Sequence, residues 1–134
     1  MAESIEHKQL VLKAKDWILE NLIDESKYFI FTDIDRRINY DRPIRVLNGY
    51  QPDIVCKGHK SSELIIVEAK TISDIDNEHS IYQYRSYYKT CDINSGRCYL
   101  IFSVPFTYGP RIKNVLKNNN IIKTDKIEII VLEF

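Results

Sequence analysis

The stretch from Gly49 to Thr71 constrains this chain more than any other. It reads Gly-Tyr-Gln-Pro-Asp-Ile-Val-Cys-Lys-Gly, a short polar tip, then Leu-Ile-Ile-Val-Glu-Ala-Lys-Thr. β-Branched residues dominate both arms, and Gly58 with Ser61-Ser62 marks a turn between them, so the stretch predicts a two-stranded hairpin. Asp53, Glu68 and Lys70 interrupt its apolar character. Side chains i and i+2 of a strand share a face, so Glu68 and Lys70 point one way and Ala69 the other. Asp53 opens the partner strand, and one hairpin register sets it against Glu68 across the ladder. Two carboxylates and an ammonium at the end of an apolar hairpin are costly to hold unless they pair or bind something.

A hard divalent cation suits that arrangement. Mg²⁺ takes carboxylate and carbonyl oxygens, keeps several waters and often shares its shell with a phosphate. Asp53 and Glu68 offer the carboxylates and the Ala69 carbonyl a third oxygen. Lys70 would lie beside the ion, placed to orient a water or to neutralise developing negative charge.

Pro52-Asp53, followed by Glu68-Ala69-Lys70 fifteen residues after the aspartate, resembles the PD-(D/E)xK nuclease signature. That superfamily includes restriction endonucleases, archaeal Holliday junction resolvases and RecB-type exonucleases. The motif is short, and a surface Asp with an ordinary Glu-Lys pair at a strand end is the plain alternative. The resemblance implies a restriction-endonuclease-like fold and a site in which Asp53, Glu68 and Lys70 are catalytic. Asp53, Glu68 and the Ala69 carbonyl would hold Mg²⁺ or Mn²⁺. Members often add an acidic residue from the first helix; Glu6 is the candidate here, with His7 as its neighbour and Glu20 as second choice. A glutamate that merely favours the positive end of the helix dipole is the competing reading of Glu6.

At 134 residues the chain is one domain, 1–134, large enough for a core. The expectation is a cytoplasmic protein: no apolar run reaches membrane-spanning length, and Met-Ala-Glu-Ser-Ile-Glu-His-Lys is too polar for a signal peptide. Cys56, Cys91 and Cys98 form no CxxC pair and read as reduced thiols; three fall short of the four that hold the iron–sulfur cluster of some RecB-type nucleases. Nineteen basic and nineteen acidic residues cancel, which argues against gripping nucleic acid by bulk charge. The cations that could meet phosphates are dispersed: Arg36, Arg37, Arg42 and Arg45 before the hairpin, Lys57 and Lys60 at its turn, Arg111, Lys113 and Lys117 later.

Along the chain, residues 4–22 predict an amphipathic helix, with Leu10, Ala14, Trp17, Ile18 and Leu22 at helical spacing and Val11 beside them. Tyr28 to Thr32 predicts the first strand. Residues 33–48 read as an irregular or paired edge segment, because Pro43 does not suit a central strand. Asp74, Asp76 and Asn77 offer N-caps to a helix over Asn77–Lys89. That helix carries Gln83 and Tyr87 at i and i+4, a pattern similar to the QxxxY motif that borders the RecB-type site and contacts nucleic acid. Ile81, Tyr84 and Tyr88 are read as its buried stripe. Cys98 to Val104 predicts a buried strand, Gly109-Pro110 opens a helix that ends at Asn118-Asn119-Asn120, and Ile127 to Phe134 predicts a last strand.

The expected architecture is therefore α/β: a helix, three strands, a helix and a strand, as in the superfamily core, with an added C-terminal helix and strand and helices flanking a mixed sheet. The expected function is a metal-dependent nuclease, acting on DNA in preference to RNA, with nucleic acid as partner and homodimers as among small relatives. The rival is a catalytically inactive nucleic-acid-binding or protein-interaction domain on the same fold.

Overall fold

The first helix, α1 (Ile5–Asn21), forms because its ends and its faces agree. A computed structural model describes residues 4–33, 43 and 45–134. Ser4 is the N-cap, its hydroxyl oxygen accepting the His7 backbone N–H at 3.0 Å. Leu10, Val11, Ala14 and Ile18 are buried along one stripe, and Trp17 and Leu22 pack at its edge. The remaining elements are β1 (Tyr28–Thr32), β2 (Ile54–Gly58), β3 (Leu64–Ala69), α2 (Glu78–Ile93), β4 (Cys98–Val104), α3 (Gly109–Asn118) and β5 (Ile127–Glu133). No described helix is long and apolar enough to cross a membrane.

The five strands form one mixed sheet in the order β1-β2-β3-β4-β5. β1, β2 and β3 pair antiparallel, joined by a hairpin where the loop is short. β3, β4 and β5 pair parallel, so each link needs a crossover, and α2 and α3 provide them. Both faces are covered. α1 packs on Ile54, Cys56, Ile65, Val67, Ala69 and Ile101. α2 and α3 pack on the other face, where Tyr84, Tyr87, Ile112 and Leu116 meet Val55, Ile66, Leu100 and Phe102. β3 is buried along its whole length, which explains its unbroken apolar run up to Glu68.

Caps set the later boundaries. The Asn77 side chain accepts the Ser80 N–H at 2.8 Å at the start of α2. The Glu133 carboxylate accepts the Gly109 N–H at 2.8 Å at the start of α3, an anion on the positive end of a helix. Asn120, at φ 58°, closes α3 in the left-handed conformation.

One expectation changes. Cys91 and Cys98 are not reduced thiols but are joined by a disulfide. The last turns of α2 carry Cys91 back over the sheet to the start of β4, and the two Cα atoms come to 5.4 Å, within bridging range. Cys56 is the free cysteine; burial pushes its thiol up to about 12. Of the segment 33–48, residues 34–42 and 44 lie outside the described residues, and Arg36, Arg37 and Arg42 with them. Leu47–Gly49 forms one 3-10 turn with Asn48 and Gly49 at positive φ.

Candidate active site

The hairpin register is the one the charges require. Ile54 pairs with Val67, so one step further Asp53 stands opposite Glu68, and the Asp53 N–H donates to the Val67 carbonyl at 3.0 Å. Lys70 follows directly, its N–H donating to the Ser103 carbonyl of β4 at 2.9 Å. Because β2 runs antiparallel to β3 and β4 runs parallel to it, the start of β2 and the ends of β3 and β4 share one edge of the sheet. Asp53, Glu68 and Lys70 meet there.

Each side chain is held by identifiable neighbours. Asp53 Oδ2 accepts the Ala69 backbone N–H at 2.8 Å and lies 3.2 Å from His7 Nε2. His7 arrives because α1 is pinned at this edge: Ser103 Oγ donates to the Leu10 carbonyl at 2.8 Å. Glu68 is 4% exposed, with Oε2 3.4 Å from Lys70 Nζ. The Lys70 ammonium also donates to Gln83 Oε1 and sits 5.9 Å from the centroid of the Tyr84 ring. Tyr84 is itself fixed, its hydroxyl donating to the Ile75 carbonyl at 2.7 Å.

The electrostatics single out Glu68. Burial, then the Asp53 carboxylate beside it, raises its proton affinity well above the usual carboxylate range, against the opposing pull of Lys70. Among the described residues its Oε1 is buried with no hydrogen-bond partner. The Tyr87 hydroxyl is buried in the same state. Burial and, next, the Glu68 carboxylate suppress ionisation of Tyr87. Unmatched buried oxygens in a native fold call for an ion or a water.

The other expected site residues divide. Gln83 joins the cluster through Lys70, but Tyr87 has no accessible surface, so its side chain touches no strand from where it stands. Glu6 is exposed in the first turn of α1, and Glu20 is exposed near the far end of the helix; the α1 residue at Asp53 is His7. Ala69 faces α1, as alternation requires. Among the described residues no group of three or more His, Cys, Asp and Glu side chains closes on one point. Asp53 and Glu68, with the Ala69 carbonyl, are the oxygens the edge offers a cation. Of the dispersed cations, Arg111 is committed to Asp76 by bonds of 2.9–3.1 Å, and Lys57 and Lys60 sit at the opposite end of the hairpin. Arg45 donates to the Gly49 carbonyl, while Lys113 and Lys117 are exposed on α3.

Sequence periodicity alone did not single out the loop after β4. Phe106 is 71% exposed and is followed by Thr107 at φ 75°, an unusual conformation for a β-branched residue. This loop leaves the sheet at the edge that carries Asp53, Glu68 and Lys70. Strain of this kind costs about 1–3 kcal/mol and gathers at functional sites. No family model, curated protein or solved structure matches the chain.

Proposed function

We propose that this chain is a metal-dependent nuclease that hydrolyses phosphodiester bonds, in DNA rather than RNA, on a restriction-endonuclease-like core. One observation carries the reading: a buried glutamate, with one oxygen unmatched, shares a sheet edge with a second carboxylate and a lysine. Element order supports it, since helix, three strands, helix and strand precede the added α3 and β5.

The donor set fits a hard cation. Two carboxylates and a carbonyl are oxygen ligands of the kind Mg²⁺ and Mn²⁺ take, and Glu68 Oε1 lacks a partner where such an ion would sit. A bound divalent ion supplies Lewis acidity and a more acidic water at the scissile phosphate. The chain's own residues do the rest. Asp53 is oriented through Oδ2 by the Ala69 N–H and His7, so Oδ1 is the oxygen it would offer a ligand. Lys70 places a fixed positive charge at the edge, where it steadies the anionic phosphate and meets charge that grows in the transition state. The Phe106 ring, standing free at the same edge, offers a stacking surface to a base.

Incubation with linear, circular, branched and single-stranded DNA, under Mg²⁺, Mn²⁺ or EDTA, tests the proposal. Cation-dependent breakage of at least one substrate, abolished by EDTA, is expected; intact substrates under every condition overturn it.

A further inference from the structure

Resting on that nuclease reading, the geometry of α2 points to a division of labour within the site. We propose that Gln83 and Tyr87 are positioning residues, which hold the two charged ends of Glu68-Ala69-Lys70 in place from one face of α2. They do not grip the nucleic-acid strand. Gln83 sets the Lys70 ammonium and Tyr87 the Glu68 carboxylate.

The match of repeats makes this possible. Residues i and i+4 of a helix are separated by about 6 Å along its axis, and residues i and i+2 of a strand by about 6.6 Å. Two side chains one helical turn apart therefore meet two same-face side chains of a strand. The order is also right: α2 leaves β3 and returns beside it, so the earlier helix residue, Gln83, meets the later strand residue, Lys70. Tyr87, one turn after Gln83, then stands toward Glu68, and each of the two carries a buried oxygen without a hydrogen-bond partner among the described residues. One further turn on, Cys91 is tied to Cys98, which pairs in register with Leu64 of β3. That covalent tie fixes the helix to β4, the strand beside β3.

Burial separates this role from strand contact. Tyr87 is 0% exposed, and its hydroxyl and Glu68 Oε1 are the two buried oxygens in this cluster without partners. A hydroxyl buried without a partner lowers stability. The Glu68 carboxyl is the acceptor that this arrangement assigns to the Tyr87 O–H.

Two shape-conserving variants test the proposal: Tyr87→Phe and Gln83→Met. Thermal unfolding of the metal-free proteins, Mn²⁺ calorimetry, strand affinity in EDTA and single-turnover cleavage are read for each. Tyr87→Phe is expected to unfold no lower than the parent protein yet to bind Mn²⁺ about 10- to 100-fold more weakly. Gln83→Met is expected to keep Mn²⁺ affinity and to lose cleavage rate about 10-fold or more. Neither should change strand affinity more than twofold. If the parent binds Mn²⁺ and cuts while both variants match it, the positioning roles are wrong and the nuclease reading stands. If the variants lose strand affinity instead, the two residues are strand contacts and the proposal fails. If the parent neither binds Mn²⁺ nor cuts, both readings fall together.

Discussion

Replacing Lys70 with alanine separates the chemical step from metal binding. Lys70 Nζ lies 3.4 Å from Glu68 Oε2, and both groups are nearly buried. At that distance two unit charges attract by about 1.2 kcal/mol at the dielectric of water and by about 5 kcal/mol at the effective value of 20 typical of protein sites. The fold does not lose the larger figure, because Glu68 can take up a proton once its partner is gone; burial and Asp53 already favour that form. A destabilisation of about 1–3 kcal/mol is expected, below the 3–5 kcal/mol typical of a broken buried pair whose survivor stays charged. Metal affinity follows a different balance. The ammonium repels a cation, and it also repels the competing proton on Glu68. The cation carries two charges to the proton's one, so divalent-ion affinity is expected to hold or to tighten. Cleavage should fall roughly 10²- to 10⁴-fold, the loss typical of a group that moves a proton or meets developing charge. Mn²⁺ calorimetry beside single-turnover cleavage reads the two effects separately. A Lys70→Ala protein that cuts as fast as the parent, or that loses the ion along with its rate, refutes the reasoning.

Further predictions follow from the same geometry. The folded state raises the proton affinity of Glu68, so that proton contributes stability fully present below the ordinary carboxylate range near 4.5 and lost as pH rises through the raised value. Metal-free parent protein should lose stability over that window by up to about 1.4 kcal/mol per pH unit, and Glu68→Gln should not, as denaturant titrations at several pH values will report. Phe106→Ala should leave stability within about 0.5 kcal/mol and weaken DNA binding by about 1–3 kcal/mol with an unchanged rate constant at saturation, readable by fluorescence anisotropy and single-turnover kinetics. Opening the Cys91–Cys98 bridge, whose residues are 7 apart in sequence, should cost roughly 2–3 kcal/mol, read by denaturation with and without reductant; unchanged stability would mean that the bridge does not form in solution.

Strand periodicity carried most of the fold and the centre of the site. Alternation alone placed Glu68 and Lys70 on one face with Ala69 opposite, and the hairpin left only one useful register for Asp53. Helical periodicity carried less, and the first helix shows why. Glu6 lies one turn before Leu10, which drew it into the apolar stripe, but His7 shares spacings of three, four, seven and eleven with Leu10, Val11, Ala14 and Ile18, all buried. The Ser4 cap fixes that phase, and His7 points to Asp53. In α2 the expected stripe of Ile81, Tyr84 and Tyr88 is centred one position off: Tyr84 and Tyr87 are fully buried, and Ile81 and Tyr88 are half-exposed. A tyrosine has no sequence signal that separates a buried hydroxyl from an exposed one; its amphipathic ring suits either place. The disulfide was hidden for another reason. Whether two cysteines 7 apart can bridge depends on how the chain turns between a helix end and a strand start, and spacing alone does not reveal that.

The central claim is that Asp53 and Glu68 together hold a divalent cation. Calorimetric titration of Mn²⁺ into the parent protein and into Asp53→Ala, repeated in buffers of different ionisation heat, tests it most directly. The parent is expected to bind the ion with saturable heat and to release more protons on binding as the pH is lowered, since burial and Asp53 raise the proton affinity of Glu68 and the ion competes with that proton. Asp53→Ala, with one carboxylate left, is expected to show no saturable heat. A parent protein that takes up no Mn²⁺, or an Asp53→Ala protein that binds it as tightly as the parent, contradicts the account.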